Sequence, residues 1–267
     1  MTTRTSRLTE SGMGAVLEAD SEFAALSARI RTAVLEHGCV LVPGLDLRES
    51  QFQNLVHSIG SLVDHKFGEG RADLLKLDAS REAGKVVNGR GMLPLHTDGL
   101  MVGERTDLIV LYARQFEDEP GSGETIICDQ LAAWAEMPEH LRAVLDRAGS
   151  LEYLVEERGY FPTVPEDWYP IDVVRDYGRV RSLNLALTFS ADASARGWQV
   201  RVPGISAQES DAFLAELAAY LGGPRYIYQH RWTEGDLLVI DNQRTLHGRT
   251  AISEDGLRVL FRGQIQL

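Results

Sequence analysis

The chain has little of what marks several large classes of protein. It holds only two cysteines, Cys39 and Cys128, both in apolar runs and without metal-site spacing. We expect buried structural thiols, with a disulfide as the alternative. No apolar run approaches the length of a membrane span, and the N-terminal residues lack the apolar core of a signal peptide. These absences predict a protein of a reducing, cytoplasmic setting.

Positive charge is also scarce, with 27 lysines and arginines against 39 acidic residues and a net charge of −12. This balance argues against nucleic acid and anionic membranes as partners. It leaves a small anionic substrate open, because a local arginine cluster can override the global sign. The 44% hydrophobic content is enough for a full core. We expect residues 1–267 to form a single domain.

The order of the predicted elements is helices first, then many short strands. Helical patterns fall within about 19–60, at 129–147 and after a capping box that begins at Ser206. Short strands with regular turn signals are typical of a sandwich or barrel. Residues near 160–205 are rich in Pro, Trp and Tyr and show no clear period, so a lid or insert is expected over about 150–205. Strand-like runs are at 39–43, 107–113, 125–128, 225–229, 237–240 and 258–264.

A His-x-Asp pair, His96 and Asp98, stands near the middle of the chain, and His247 stands near its end. Two histidines and one carboxylate hold iron(II) on one face and leave the other face open. If the pair lies on a strand, both side chains point the same way and meet one ion. We expect His247 to return beside that strand.

Arg258 follows His247 by eleven residues, and Arg262 follows four later. A guanidinium at that distance is suited to the far carboxylate of a 2-oxo acid. If Arg258 points inward, strand alternation puts Arg262 on the same face. A zinc hydrolase, or a metal-binding or sensor barrel without turnover, is the rival interpretation of the triad. A hydrolase has no need of a deep arginine, so Arg258 favours the oxygenase.

With these residues the chain resembles the iron(II)/2-oxoglutarate dioxygenases of the taurine-dioxygenase type. Within them it is most similar to carbapenem synthase and related carbapenem-tailoring oxygenases. The departures from those enzymes, among them Thr97, Phe161 and Gly248, concern the surroundings of the pocket. The matching strings include Gly89-Arg-Gly-Met-Leu-Pro-Leu-His96-Thr-Asp98-Gly, Cys128-Asp129, Glu157-Arg-Gly-Tyr160, Pro224-Arg-Tyr, Trp232-x-x-Gly-Asp236, Asp241-Asn and Leu260-Phe-Arg262-Gly-Gln264.

The resemblance implies a mostly-β double-stranded β-helix (a cupin-like jelly roll) with flanking helices. It implies His96, Asp98 and His247 as iron ligands. Thr125 and Arg258 would bind the distal carboxylate of 2-oxoglutarate, and Arg249 would lie near its metal-bound end. The substrate would meet Arg262, Trp198 and Tyr160. Tyr160 would also be catalytic, as a hydrogen donor to a substrate radical, although Tyr160 and Trp198 are equally suited to packing.

The implied activity uses iron(II), 2-oxoglutarate and O2 to oxidise an unactivated C–H bond. The expected substrate is a bicyclic β-lactam in antibiotic biosynthesis, its carboxylate held by Arg262. Hydroxylation, desaturation and epimerisation of a carbapenam or carbapenem stay open. An amino acid or an alkyl sulfonate is the alternative substrate. Since relatives commonly self-associate, a homo-oligomer is also open.

Overall fold

The computed structural model describes residues 7–19, 23–63, 74–78, 86, 89–159, 161, 163–190, 193 and 195–267. The helices are α1 (Phe23–His37), α2 (Glu49–Ile59), α3 (Gln130–Ala135), α4 (Glu139–Ala148) and α5 (Ala207–Leu221), with a 3-10 turn at Leu100–Val102. The strands are β1 (Ala15–Val16), β2 (Cys39–Val42), β3 (Ser61–Leu62), β4 (Leu75–Asp78), β5 (Leu93–His96), β6 (Leu108–Glu117), β7 (Thr125–Cys128), β8 (Ser150–Val155), β9 (Tyr169–Asp172), β10 (Val174–Asp176), β11 (Arg181–Leu183), β12 (Trp198–Arg201), β13 (Ile227–His230), β14 (Leu237–Asp241), β15 (Leu246–Arg249) and β16 (Leu257–Gln266).

The helices form where the sequence predicts them. Helix α1 ends at Gly38, whose φ of 82° lies in the left-handed region that favours glycine. Helix α5 begins with the predicted capping box, in which Ser206 Oγ accepts from Glu209 N at 3.3 Å and Glu209 Oε2 accepts from Ser206 N at 2.9 Å. The stretch at 129–147 forms two helices, α3 capped by Asp129 and α4 preceded by Pro138. Proline has no N–H to donate, so it lies at the start of α4.

The larger sheet has seven strands, in the order β1-β2-β14-β6-β16-β3, with β4 also paired to β16. Its residues alternate between two cores, as a period of two requires. On β6, Leu108, Val110 and Tyr112 pack with helices α1 and α2. Their neighbours Ile109 and Leu111 belong to a second core, on the inner face. The sheet is therefore apolar on both sides.

The smaller sheet has four antiparallel strands, in the order β13-β7-β15-β5. Ile127 of β7 lies in the same core as Ile109 and Leu260 of the larger sheet, so the two sheets pack face to face. The result is a jelly roll, mostly β with flanking helices, and it confirms the predicted fold class. Its open end lies between β5 and β15 of the smaller sheet and β16 of the larger one.

Residues 150–205 add a smaller layer beside this jelly roll. Strands β12, β8 and β9 form a three-stranded sheet, and β10 and β11 form a hairpin. The prediction of an irregular segment over 160–205 was wrong at β9 to β12. These strands have only three or four residues, too few for a period to show, and β9 and β12 both pair with β8 rather than with each other. In the hairpin turn, Arg179 Nη1 lies 2.9 Å from Oδ2 of the buried Asp241 on β14.

Both cysteines are free and buried, which agrees with the prediction of structural thiols. Cys128 Sγ donates to the main-chain oxygen of Leu221 at 3.2 Å. Over the described ranges, no helix has both the length and the apolar character needed to cross a bilayer.

Candidate active site

The three predicted metal ligands come together at the open end of the jelly roll. Strand β15 pairs with β5 so that His247 lies opposite His96, and the two imidazole centroids are 4.3 Å apart. Asp98 Oδ1 lies 3.4 Å from His96 Nε2 and 3.6 Å from His247 Nε2. Ligand atoms on neighbouring corners of an octahedron, each about 2.1 Å from the ion, stand about 3 Å apart. The donor set therefore fits a divalent metal ion of the iron(II) type.

The sequence pattern had indicated that Asp98 lies on a strand with His96, and this was wrong. Strand β5 ends at His96, and Asp98 is in the turn that follows. Gly99 completes this turn with a φ of 80°, and a Cβ there would lie 2.4 Å from Glu104 O. The carboxylate reaches the histidines because the chain turns, so strand alternation does not account for the site.

Each imidazole is set up to offer its Nε2 atom. His96 Nδ1 lies 2.9 Å from the main-chain oxygen of Pro94, which makes Nδ1 the protonated nitrogen. Burial, followed by the neighbouring His96 charge, lowers the pKa of His247 to about 3. Its ring is therefore neutral at physiological pH, the form that binds a metal.

Asp98 is held as an anion. Burial alone would raise its pKa, but Arg262, His247 and His96 together lower the pKa well below its usual range. Arg262 Nη2 contacts Asp98 Oδ2, and Gln264 Nε2 donates to the same oxygen at 2.7 Å. The other oxygen, Oδ1, is the one that faces the imidazoles.

Arg258 and Thr125 line the same cavity as the ligands. The Arg258 side chain is buried, with Nε donating to Gly123 O at 2.9 Å. Burial and the charges of Arg249 and Arg262 lower the pKa of Arg258 well below its usual range. Because arginine stays protonated in proteins, an anion bound in the cavity would stabilise this buried cation.

Thr125 is the first residue of strand β7, and its hydroxyl accepts a hydrogen bond from Trp232 Nε1 at 3.1 Å. Its own proton is then available to an acceptor in the cavity. An anion between Thr125 and Arg258 would receive both donors, as predicted for the distal carboxylate of 2-oxoglutarate.

Arg249, also predicted to meet the co-substrate, lines the cavity and holds a backbone segment. Its Nη2 atom donates to Gly89 O at 2.8 Å and to Gly91 O at 2.6 Å. The segment from Gly89 leads into β5, so Arg249 fixes the approach to His96.

The substrate-side residues are placed as follows. Trp198 is buried, donates from Nε1 to Leu187 O at 3.0 Å, and has its ring centroid 5.9 Å from that of His96. Arg262 lines the cavity beside Asp98. Tyr160 lies outside the described residues, so its roles stay predictions. Apolar side chains on the cavity wall include Leu75, Leu77, Leu93, Met101 and Phe161. The departures Thr97, Phe161 and Gly248 all line the cavity.

Three residues of the site carry contacts that the sequence did not assign. They are Trp232, Asn242 and Gln264, which touch Thr125 or Asp98 by hydrogen bonds. The sequence pattern assigned Asn242 only to a turn and Gln264 only to a strand. The one available signal for Gln264 was its alternation with Arg258 and Arg262.

An oxygenase that uses iron(II) and 2-oxoglutarate is the class of enzyme that this site defines, because a buried arginine lies in the same cavity as the metal ligands. The sequence comparison agrees: the chain belongs to the family described as "Taurine catabolism dioxygenase TauD, TfdA family", whose model matches residues 5–264. The protein is a 2-oxoglutarate-dependent dioxygenase with iron(II) as its metal and 2-oxoglutarate and O2 as co-substrates. Family membership sets aside the hydrolase and the inactive barrel.

Individual relatives place the chain within this family. It is 22% identical over 258 residues to 3-((Z)-2-isocyanoethenyl)-1H-indole synthase of Fischerella ambigua, covering 94% of this chain and 92% of that protein. It is 30% identical over 141 residues to alpha-ketoglutarate-dependent 2,4-dichlorophenoxyacetate dioxygenase of a Burkholderia species, covering 48% and 43%. Among solved structures, PvcB from Pseudomonas aeruginosa gives a TM-score of 0.68 at 21% identity, covering 96% and 86%.

Proposed function

We propose that this dioxygenase oxidises an unactivated C–H bond of a small, carboxylate-bearing molecule, and that the molecule is a bicyclic β-lactam of the carbapenam or carbapenem type. The excess of positive charge in the cavity supports a substrate with a carboxylate. The bicyclic β-lactam rests on the resemblance to the carbapenem-tailoring oxygenases.

The charge balance of the cavity favours an acidic substrate. Among its described lining residues, three arginines (Arg249, Arg258 and Arg262) face two carboxylates (Asp98 and Glu104). Iron(II) and the 2-oxoglutarate dianion cancel each other, so one positive charge remains among these described lining residues. A substrate with a single carboxylate balances it, and Arg262 is the cation nearest to the metal ligands.

The residues divide the work between the two ends of the cavity. When bound, iron(II) and 2-oxoglutarate supply the oxygen-activating chemistry that breaks the C–H bond. His96, Asp98 and His247 would hold the metal, and Arg258 with Thr125 would orient the co-substrate. Arg262 would fix the substrate carboxylate, while Trp198 and the apolar wall exclude water from its ring carbons.

Much of the resemblance to carbapenem enzymes concerns residues that hold the site. Gly89 and Gly91 accept from Arg249, Trp232 donates to Thr125, and Asn242 binds the backbone of Asp98. These contacts determine where the reacting groups stand. They support the oxygenase site, whereas the β-lactam substrate rests on the resemblance of the matching strings alone.

A second candidate substrate is an amino-acid derivative that carries an isocyano group. The supporting observation is the relative from Fischerella ambigua, an isocyanoethenyl-indole synthase that aligns over 94% of this chain. PvcB, with a similar fold, is described as an Fe, alpha-ketoglutarate dependent oxygenase from an isonitrile synthetic pathway. An amino acid was already the alternative substrate from the sequence, and this candidate adds an isocyano group to it.

The two candidates are separated by measuring succinate formation with a substrate panel. The panel holds carbapenam and carbapenem carboxylates, isocyano derivatives of aromatic amino acids, free amino acids, 2,4-dichlorophenoxyacetate and taurine. We expect substrate-dependent succinate with the bicyclic carboxylates. Coupled turnover with the isocyano compounds alone would replace the first candidate by the second.

The carboxylate requirement is tested on the substrate, which leaves the protein unchanged. The methyl ester of the accepted substrate should lose at least about 30-fold in kcat/KM, since it forfeits a charged hydrogen bond worth about 2–5 kcal/mol. An ester as active as the acid would refute the role of Arg262.

A further inference from the structure

Two buried carboxamides touch the metal ligand Asp98, Asn242 at its main chain and Gln264 at its carboxylate. We propose that they are positioning residues for iron(II) binding. Asn242 fixes the main chain of Asp98, and Gln264 holds its outer oxygen, so that Oδ1 faces the two imidazoles. We call the pair the carboxamide cradle.

Asn242 replaces the strand pairing that Asp98 lacks. Because β5 ends at His96, no ladder bond of that strand reaches Asp98. Asn242 Oδ1 instead accepts from Asp98 N at 2.9 Å, and Nδ2 donates to Asp98 O at 3.2 Å and to Thr106 O at 2.9 Å. A carboxamide offers this mixture of acceptor and donor, whereas a carboxylate offers acceptors alone.

Asn242 is only 1% exposed, and its own position is fixed by its neighbours. Asp241 is bound by Arg179, and Gln243 Nε2 donates to Asp107 Oδ1. Five residues further on is His247. One rigid segment therefore carries the second histidine and also holds the turn that carries the carboxylate.

Gln264 acts on the carboxylate group itself. The last torsion of an aspartate is broad, so its two oxygens exchange places easily unless one is held. Gln264 Nε2 donates to Oδ2 at 2.7 Å, from the same face of β16 as Arg262, which contacts the same oxygen. Oδ1 is left within 3.6 Å of both histidine Nε2 atoms. Because Gln264 is uncharged, it does this without adding to the positive charge of the cavity.

The test is an anaerobic titration of the metal-free enzyme with iron(II) alone, in which tryptophan fluorescence reports binding. We compare Gln264→Met and Asn242→Leu, which keep side-chain volume but remove the hydrogen bonds. Loss of a residue that orients a metal ligand typically weakens metal binding about 10- to 100-fold. We expect that range for each variant, together with an altered visible spectrum of the cobalt(II) form.

The matched control is Asn184→Leu. Asn184 is a buried carboxamide whose Nδ2 donates to Asp172 O at 3.2 Å, and it does not line the cavity. It should lower the melting temperature and leave iron(II) affinity unchanged. If Gln264→Met and Asn242→Leu behave like this control, the cradle is structural and the proposal is overturned. Should Asn242→Leu fail to fold, Gln264→Met decides alone. The titration needs no substrate, so its result is independent of the substrate proposed above.

Discussion

The two main sheets differ in what their residues do. The seven-stranded sheet has strands of up to ten residues with apolar side chains on both faces. The four-stranded sheet has strands of four residues, yet it carries both histidines, Thr125 and Arg249. Strand β16 belongs to the large sheet but contributes Arg258, Arg262 and Gln264 to the site. The residues of the site therefore lie on inner faces of both sheets, whereas the outer face of the large sheet packs against helices and stabilises the fold.

The largest effect should come from the small sheet, with His247→Ala. Removing one of three ligands should abolish turnover and weaken iron(II) binding by more than about a hundredfold. Since His247 Nδ1 has no hydrogen-bond partner among the described residues, the metal-free protein should lose less stability than a variant with a truncated core aromatic ring.

Iron(II) titration and urea unfolding measure the two quantities. His140→Ala is the control, because that imidazole is exposed and pairs with Glu216. A stability loss as large as the loss of binding would show that the small sheet is also a stabilising element.

The opposite result is expected for Phe52→Ala, under the outer face of the large sheet. Phe52 is fully buried, and its ring lies 5.9 Å from that of Tyr112 and 5.8 Å from that of Phe261. Its truncation should lower the free energy of unfolding by about 3–5 kcal/mol. Urea unfolding checks this, and the folded protein should keep its iron(II) affinity. A parallel loss of affinity would contradict the division between the faces.

Arg258→Met tests the strand that serves both purposes. The variant should bind 2-oxoglutarate more weakly by about 1.5–3 kcal/mol, or roughly 10- to 150-fold, because a charged hydrogen bond is lost. The metal-free protein should become more stable, since a buried cation crowded by Arg249 and Arg262 is removed.

Anaerobic titration of the iron(II) enzyme with 2-oxoglutarate, followed by the visible absorption band, measures the first effect. Arg114→Met on β6 is the matched control, because its guanidinium is exposed and pairs with Glu234 at 3.4 Å. Unchanged affinity in Arg258→Met would remove Arg258 from the co-substrate site.

The smallest effect is expected for Trp232→Phe. The change removes the indole N–H that binds Thr125 and keeps an aromatic ring in the core. One neutral hydrogen bond is worth about 1 kcal/mol, so the Kd for 2-oxoglutarate should rise about fivefold. The same titration applies, with Trp134→Phe as control. A Kd equal to that of the native enzyme would mean that Thr125 needs no help from Trp232.

The elements with strong local signals were predictable from the sequence. The 49–59 helix, the capping box at Ser206 and the buried run Leu237–Ile240 each follow from periodicity or end signals within a few residues. The ligand triad was predictable for another reason. Few arrangements other than a metal centre need two histidines and a carboxylate beside a deep arginine.

What the sequence did not reveal depends on contacts between distant parts of the chain. The turn at Asp98 is held by Asn242, 144 residues later, and Gln264 reaches the same aspartate across 166 residues. Strands β9 and β12 both pair with β8, and Trp198 of β12 lies opposite Val155, 43 residues earlier. In each case the residue type was visible, but its partner was chosen by the packing of the sheets.

The placement of the two thiols has a practical consequence. Cys39 lies in the large sheet and Cys128 in the small one, and burial raises the pKa of each, that of Cys39 to about 12. Alkylating reagents and peroxide attack the thiolate, so neither sulfur reacts while its sheet is closed. In an enzyme that handles oxygen, burial thereby protects these two thiols from oxidation. The rate at which each cysteine is alkylated therefore reports how often its sheet opens. Mass spectrometry measures this rate without an engineered cysteine.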